Sequence, residues 1–121
     1  MKNLINKIKN SISLSAQAEE YIYSISKEKK VSKGEVLIRG GQTVNKTFFV
    51  NQGSLRSFCV DKEGKEHTLQ FAIKDWWISD FMAIYNNEPA SLTVECITDA
   101  TVIEFNAQKL DEIYLQFPEF E

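Results

Sequence analysis

The chain is 121 residues long, with 43% hydrophobic, 12% aromatic and 26% charged residues, the composition of one soluble globular domain: too short for two, yet long enough to form a core without disulfides or a structural metal. Its 14 Lys+Arg against 17 Asp+Glu give a net charge of −3, which excludes the overall basic excess that drives nucleic-acid binding by counterion release. The charge is uneven, because residues 1–30 hold six Lys and three Glu while the remainder carries −6, a mildly basic arm on an acidic body.

In the first 30 residues Leu4, Ile5, Ile8 and Ile12 repeat at helical spacing, and after a break at Ser13 to Ser15 so do Ala18, Tyr21, Ile22 and Ile25, predicting two short amphipathic helices. Ser15 is the expected N-cap of the second, Glu19 and Glu20 suit its early turns, and Lys27, Lys29 and Lys30 would close it. From Val31 the pattern changes to short β-branched and aromatic runs separated by Gly34, Gly40-Gly41, Gly53, Asp61 to Gly64, Asp75 and Asn86-Asn87. The predicted strands are 36–38, 47–51, 54–60, 65–73, 91–96 and 101–105, with the clearest hairpin turning at Asp61 to Gly64. Strands this short, without long helices between them, indicate an antiparallel sandwich or barrel. After Phe105 the spacing is helical again, with Asn106 as N-cap and Leu110, Ile113 and Phe117 on one face before Pro118. The longest apolar run, Phe81 to Tyr85, is far short of a membrane span or a signal-peptide core, so no membrane partner and a reduced cytoplasmic setting are the expectation.

Residues that carry chemistry are sparse. His67 is the one histidine, and on a predicted strand without neighbouring cysteines it has no metal-ligand spacing, so it reads as an ordinary strand residue. Cys59 and Cys96 read as small buried hydrophobes. No nucleophile elbow, P-loop or dinucleotide fingerprint is present, and the chain is not expected to be an enzyme. Of the adjacent Trp76 and Trp77, on an extended segment, one should point inward and the other toward solvent, a pocket or a partner. Arg56, mid-strand, must reach solvent or be paired.

Three stretches then become recognisable together: Lys33-Gly34-Glu35-Val36-Leu37-Ile38-Arg39-Gly40-Gly41, Phe48-Phe49-Val50-Asn51-Gln52-Gly53-Ser54-Leu55-Arg56, and Asp61-Lys62-Glu63-Gly64-Lys65-Glu66. In order and spacing they resemble the cyclic-nucleotide-binding domain of the Crp/Fnr family of bacterial transcription regulators, over about residues 15–121. The resemblance implies a mainly β fold, a jelly-roll (double-stranded β-helix) barrel flanked by short N- and C-terminal helices. The organisation would be an N-terminal helical segment over 1–30, followed over 31–121 by the jelly-roll domain with the start of a C-terminal helix. Gly34, Gly41, Gly53 and Gly64 would then sit at turns that need positive φ.

In that family a phosphate-binding cassette opens with a Gly-Glu pair and a short helix, and an Arg next to Ser or Thr follows about ten residues later. The Glu accepts from the ribose 2′-hydroxyl, and the Arg pairs with the cyclic phosphate. The corresponding stretch here is Ser79 to Ser91, where Ser79 replaces the Gly, Asp80 the Glu and Ala90 the phosphate Arg, while Ser91 is retained. The ligand-binding residues implied are Ser79, Asp80, Phe81, Met82, Ala83, Ala90 and Ser91, with Trp77 as a wall. Loss of the arginine removes a contact worth about 2–5 kcal/mol, so cyclic AMP affinity is expected to fall by roughly tens-fold to thousands-fold. The effector is accordingly either a cyclic nucleotide or another small molecule, and no cofactor is certain.

The resemblance further implies a long dimerising helix and a helix-turn-helix domain after the barrel, and the chain ends where that helix should begin. DNA would therefore be contacted only through a C-terminal domain absent from this chain, and a homodimer would form in a full-length version. A rival reading keeps the fold as a ligand-free dimerisation or partner-docking module, with Phe81, Met82 and Ile84 packed inward. A metal-dependent cupin-like barrel is disfavoured by the single histidine.

Overall fold

The structure, a computed structural model, describes residues 2–11 and 15–116. In chain order the elements are α1 (Lys2–Ser11), α2 (Ala16–Ile25), β1 (Ser26–Val31), β2 (Val36–Ile38), β3 (Lys46–Gln52), β4 (Leu55–Val60), β5 (Glu66–Ala72), β6 (Trp77–Ile78), α3 (Phe81–Asn86), β7 (Thr93–Cys96), β8 (Ala100–Asn106) and α4 (Ala107–Gln116). The strands form two four-stranded antiparallel sheets of order β1-β8-β3-β6 and β2-β7-β4-β5. Strands that follow one another in sequence mostly alternate between the sheets, which is jelly-roll connectivity. The architecture is mainly β, as predicted, in the form of two facing sheets.

Two apolar cores divide the molecule. Between the sheets lie Phe48, Val50, Leu55, Ile78, Val94, Cys96 and Val102, with Ala83 and Ala90 from the segment after β6. A second core, formed by Phe49, Ile103 and Phe105 of the first sheet with Leu4, Ile5, Ile22 and Ile113 of the helices, covers that sheet's outer face. Strands β3 and β8 thus have apolar partners on both faces. This explains the unbroken Phe48-Phe49-Val50 run, where a half-exposed strand would alternate with polar residues.

The helices follow their apolar stripes: Leu4, Ile5 and Ile8 of α1 and Ile22 and Ile25 of α2 lie in or against the second core. Ser15 caps α2, its Oγ accepting from the Ala18 N–H at 3.1 Å. The Asn106 side chain accepts from the Lys109 N–H at 3.1 Å at the start of α4. Ile12 and Phe117 fall outside the described residues.

One local expectation is corrected. Lys27, Lys29 and Lys30, read as closing the second helix, instead lie in β1 (Ser26–Val31), which pairs antiparallel with β8 from Ser26–Phe105 to Val31–Ala100. What holds this polar strand is the ladder and charge pairing. Glu104 of β8 sits 2.8 Å from Lys29 Nζ of β1 and 3.4 Å from Lys46 Nζ of β3. Burial raises the Glu104 carboxyl, but the Lys29 hydrogen bond and the charges of Lys29 and Lys46 outweigh it, leaving Glu104 below its ordinary value.

The four glycines placed at turns, Gly34, Gly41, Gly53 and Gly64, all have positive φ. Gly53 is the most constrained. At φ +91° a Cβ there would stand 2.5 Å from the Asp99 carbonyl oxygen, so the β3–β4 turn closes only around a hydrogen atom.

Candidate functional site: the segment from Trp77 to Leu92

Strand β6 lies at the edge of the first sheet, pairing Trp77 with Phe49 and Ile78 with Phe48. Ile78 enters the core between the sheets, and Trp77 faces the opposite way. The chain then turns inward. Ser79 is buried, and its Oγ donates to the Lys46 carbonyl at 2.7 Å.

Asp80 follows as the N-cap of α3. Only 3% exposed, its carboxylate must find donors inside the protein, because burying a charge without them is costly. Backbone amides supply them. Oδ1 accepts from the Ala83 N–H at 3.1 Å, and Oδ2 accepts from the N–H groups of Ser91 at 2.8 Å and Leu92 at 3.1 Å. One side chain therefore clamps the first turn of α3 to the chain leading into β7.

Helix α3 ends at Asn87, whose left-handed φ of +54° makes it the C-cap. The return segment is tied to the loop between β2 and β3. The Ala90 N–H donates to the Gln42 carbonyl at 2.8 Å, and the Gly41 N–H donates to the Ala90 carbonyl at 2.7 Å. Thr43 and Pro89 form a bridge beside them. Ala90, at 6% exposure, is a small side chain in the core between the sheets.

Of the expected site residues, Ser79, Asp80, Ala83, Ala90 and Ser91 are brought together. Ala83 and Ala90 are buried, and Ile84 packs against the same core. Phe81, Met82 and Tyr85 project outward, so the inward packing of Phe81 and Met82 in the rival reading is not found; α3 presents Ala83 and Ile84 inward. Trp77 stands apart, wedged against Phe49 and Phe105 with ring centroids 5.3 and 5.4 Å away. It belongs to the helix-side core. Trp76 is exposed, which matches the one-in, one-out expectation for the pair. The Leu92 amide and the Gly41–Gln42 strap were missed, since backbone donors and acceptors carry no residue-type signature.

Arg56 lies on the outer face of the second sheet, between Leu55 and Ser57, whose side chains are buried. Its guanidinium contacts Glu95 through Nε at 2.7 Å, Glu66 at 2.8 Å and Thr68 at 3.0 Å, and lies 4.2 Å from the Phe58 ring centroid. It is paired on the surface rather than directed toward Ala90. His67 bonds Asp61 at 2.8 Å in the β4–β5 hairpin, and both are exposed. Burial, followed by the charges of Glu35, Glu95 and Asp99, pushes the Cys96 thiol up to about 11, the opposite of what a nucleophile needs. Among the described residues no group of His, Cys, Asp and Glu is arranged to hold a metal, and no helix is long and apolar enough to cross a membrane.

Set beside known proteins, residues 28–117 match the family model described as "Cyclic nucleotide-binding domain". The chain belongs to that family. Crp/Fnr-type transcription regulators are among the homologues of this cyclic nucleotide-binding domain. It is similar to the transcriptional activator protein FnrA of Stutzerimonas stutzeri, 28% identical over 109 residues, which cover 89% of this chain and 44% of FnrA. The chain thus spans under half the length of that relative. In structure it resembles the sensor domain of the transcriptional regulator DNR from Pseudomonas aeruginosa, with a TM-score of 0.76 and 16% identity over 86% of this chain and 69% of that one. It also resembles the regulatory domain of Toxoplasma gondii PKA, crystallised with cAMP, with a TM-score of 0.71 and 21% identity over 84% of this chain and 38% of that one. At these identities the two structures establish the fold of this cyclic nucleotide-binding domain.

Proposed function

We propose that the chain is the effector-sensing domain of a cytoplasmic Crp/Fnr-like transcriptional regulator whose phosphate-binding cassette has become framework, so that cyclic AMP and cyclic GMP are not its ligands. The observation that carries this reading is the Asp80 carboxylate, which holds the N–H groups of Ala83, Ser91 and Leu92. Amides around the start of α3 and at Ser91 are donors that a cyclic phosphate would need. Here an internal anion already holds the Ala83 and Ser91 amides. Ala90, where the resembled family has its arginine, supplies no cation, and Arg56 is engaged elsewhere by Glu66 and Glu95.

The domain acts by binding, not catalysis. A ligand that favours one arrangement of α4 shifts the population of states presented to whatever follows it. DNA contact and homodimer formation belong, on this reading, to a full-length regulator. The test is isothermal titration of the chain with cyclic AMP and cyclic GMP, and the expected result is no heat of binding up to millimolar ligand. Saturable micromolar binding that Asp80→Asn abolishes would sink the proposal.

The exposed Phe81, Met82 and Tyr85, at 51%, 68% and 87% of their full exposure, favour a second reading as a docking or dimerisation module. Sedimentation velocity over a range of concentrations separates the two. Association that Met82→Ser with Tyr85→Ser removes would favour docking, and a monomer at every concentration would discard self-docking through this face.

A further inference from the structure

On the outer face of the first sheet, opposite the cassette, a cavity of about 280 Å3 is lined by Leu4 and Ile8 of α1, Ile22 of α2, Trp77 of β6, Phe105 of β8, and Leu110 and Ile113 of α4. These described lining residues are all apolar, and three helices and two strands contribute them. We propose that this cavity is the effector site of the domain and that its ligand is a small, uncharged aromatic molecule of about two fused rings. The proposal rests on the sensing reading above and names the ligand class that reading leaves open.

Size and chemistry set the class. Protein interiors are close-packed, and an apolar void of ~150 Å3 stays dry and admits benzene; a space approaching twice that suits a second ring. Two of the lining residues are aromatic. The Trp77 indole is held by an edge contact with Phe49 and a tilted contact with Phe105, which gives the cavity a fixed aromatic wall against which a flat ligand can stack. With no charged or hydroxyl-bearing side chain among the described lining residues, a charged ligand would lose its hydration without replacement. Two other cavities differ in kind. The one of about 360 Å3 mixes the charged Lys30 and Asp99 with Val31 and Ala100 and has no aromatic wall, and the one of about 50 Å3 beside Arg39 and Gln42 is too small for a ring system.

The position also provides coupling. Leu110 and Ile113 form the α4 side of the cavity, and the Tyr21 hydroxyl of α2 donates to the Lys109 carbonyl of α4 at 3.3 Å. A molecule seated between the helices and the sheet contacts α1, α2 and α4 at once, so its binding energy depends directly on where α4 lies. None of residues 79–91 lines this space, whereas Trp77, the expected wall of the cassette site, does.

The test uses the full chain with 13C-labelled Ile and Leu methyl groups, titrated with naphthalene and, separately, with 2-naphthoate. Naphthalene should produce saturable shifts at the methyls of Leu4, Ile8, Ile22, Leu110 and Ile113, and 2-naphthoate should produce none. Ile8→Phe or, from the opposite side, Leu110→Phe should fill the space and weaken naphthalene by about tenfold or more. Two independent variants keep the test readable if one of them fails to fold. Absence of shifts at saturating naphthalene, as when the chain's own residues occupy the space, or shifts that survive both filling variants, would overturn the proposed site. Amide hydrogen exchange along α4 is read in the same samples. Slower exchange with naphthalene supports the site as an effector site; binding with unchanged α4 exchange leaves a pocket uncoupled to α4 and breaks the sensing reading instead.

Discussion

Asp80 and Arg56 solve the same problem, holding a charge in a folded chain, in opposite ways. Asp80 is buried and satisfied by three backbone amides drawn from two segments. Arg56 lies on the outside of the second sheet, satisfied by the side chains of Glu66, Glu95 and Thr68 and covering the Phe58 ring. Backbone amides cannot turn away, so removing the buried anion strands them, whereas the surface carboxylates can turn to water. Energetic weight should therefore be concentrated at Asp80 and diluted at Arg56.

The sharpest way to break this contrast is Asp80→Ala, expected to cost about 3–5 kcal/mol because one buried and two part-buried backbone donors lose their acceptor. Asp80→Asn, which keeps one acceptor oxygen, should lose roughly half as much. Urea denaturation reads both, and equal, small losses would mean that the clamp is redundant. Next, Ala90→Arg places a long cationic side chain where a buried methyl group now sits. Overpacking should cost about 2 kcal/mol, seen as a lower urea midpoint. No loss would show that Asp80 can exchange its amides for the new guanidinium.

Arg56→Ala should cost only about 1–2 kcal/mol, from a partly exposed ion-pair network and one cation–π contact, and the loss should shrink in high salt. The smallest effect concerns Glu104. Its carboxyl is held below the ordinary value of 4.5 by Lys29 and Lys46, against the pull of burial. A depressed folded value means that the contribution is present above the ordinary value and is lost as pH falls through the folded one. Stability measured between about pH 5 and about pH 3 should fall less steeply in Glu104→Gln than in the parent.

Much of the architecture was legible because burial on alternating faces leaves a mark on residue type. The strand runs, the Asp61–Gly64 hairpin and the Ser15 and Asn106 caps each depend on side chains at particular positions. Strand β1 was not legible. Lys27, Glu28, Lys29 and Lys30 carry no apolar alternation, and the strand exists because β8 offers a free edge and Glu104 a counter-charge. The same limit applies at the site. Family resemblance located Asp80, but its engagement depends on amides 11 and 12 residues further along, which any side chain could accompany. Trp77 shows a third kind of limit. Alternation indicated that one of two indoles points inward, but a molecule with two cores has two insides, and periodicity does not choose between them.

The junctions at β1 and β8 give the molecule a mechanical character. Helix α2 runs directly into β1, and β8 runs directly into α4. Because the strands pair antiparallel with Ser26 opposite Phe105, both helices leave from the same end of the β1–β8 pair. Tension applied through α2 and α4 would load the first pair of that ladder before the second, as a zipper is opened, instead of shearing all the rungs at once. Along this axis the domain is compliant, while the clamp at Asp80 lies outside the line of force.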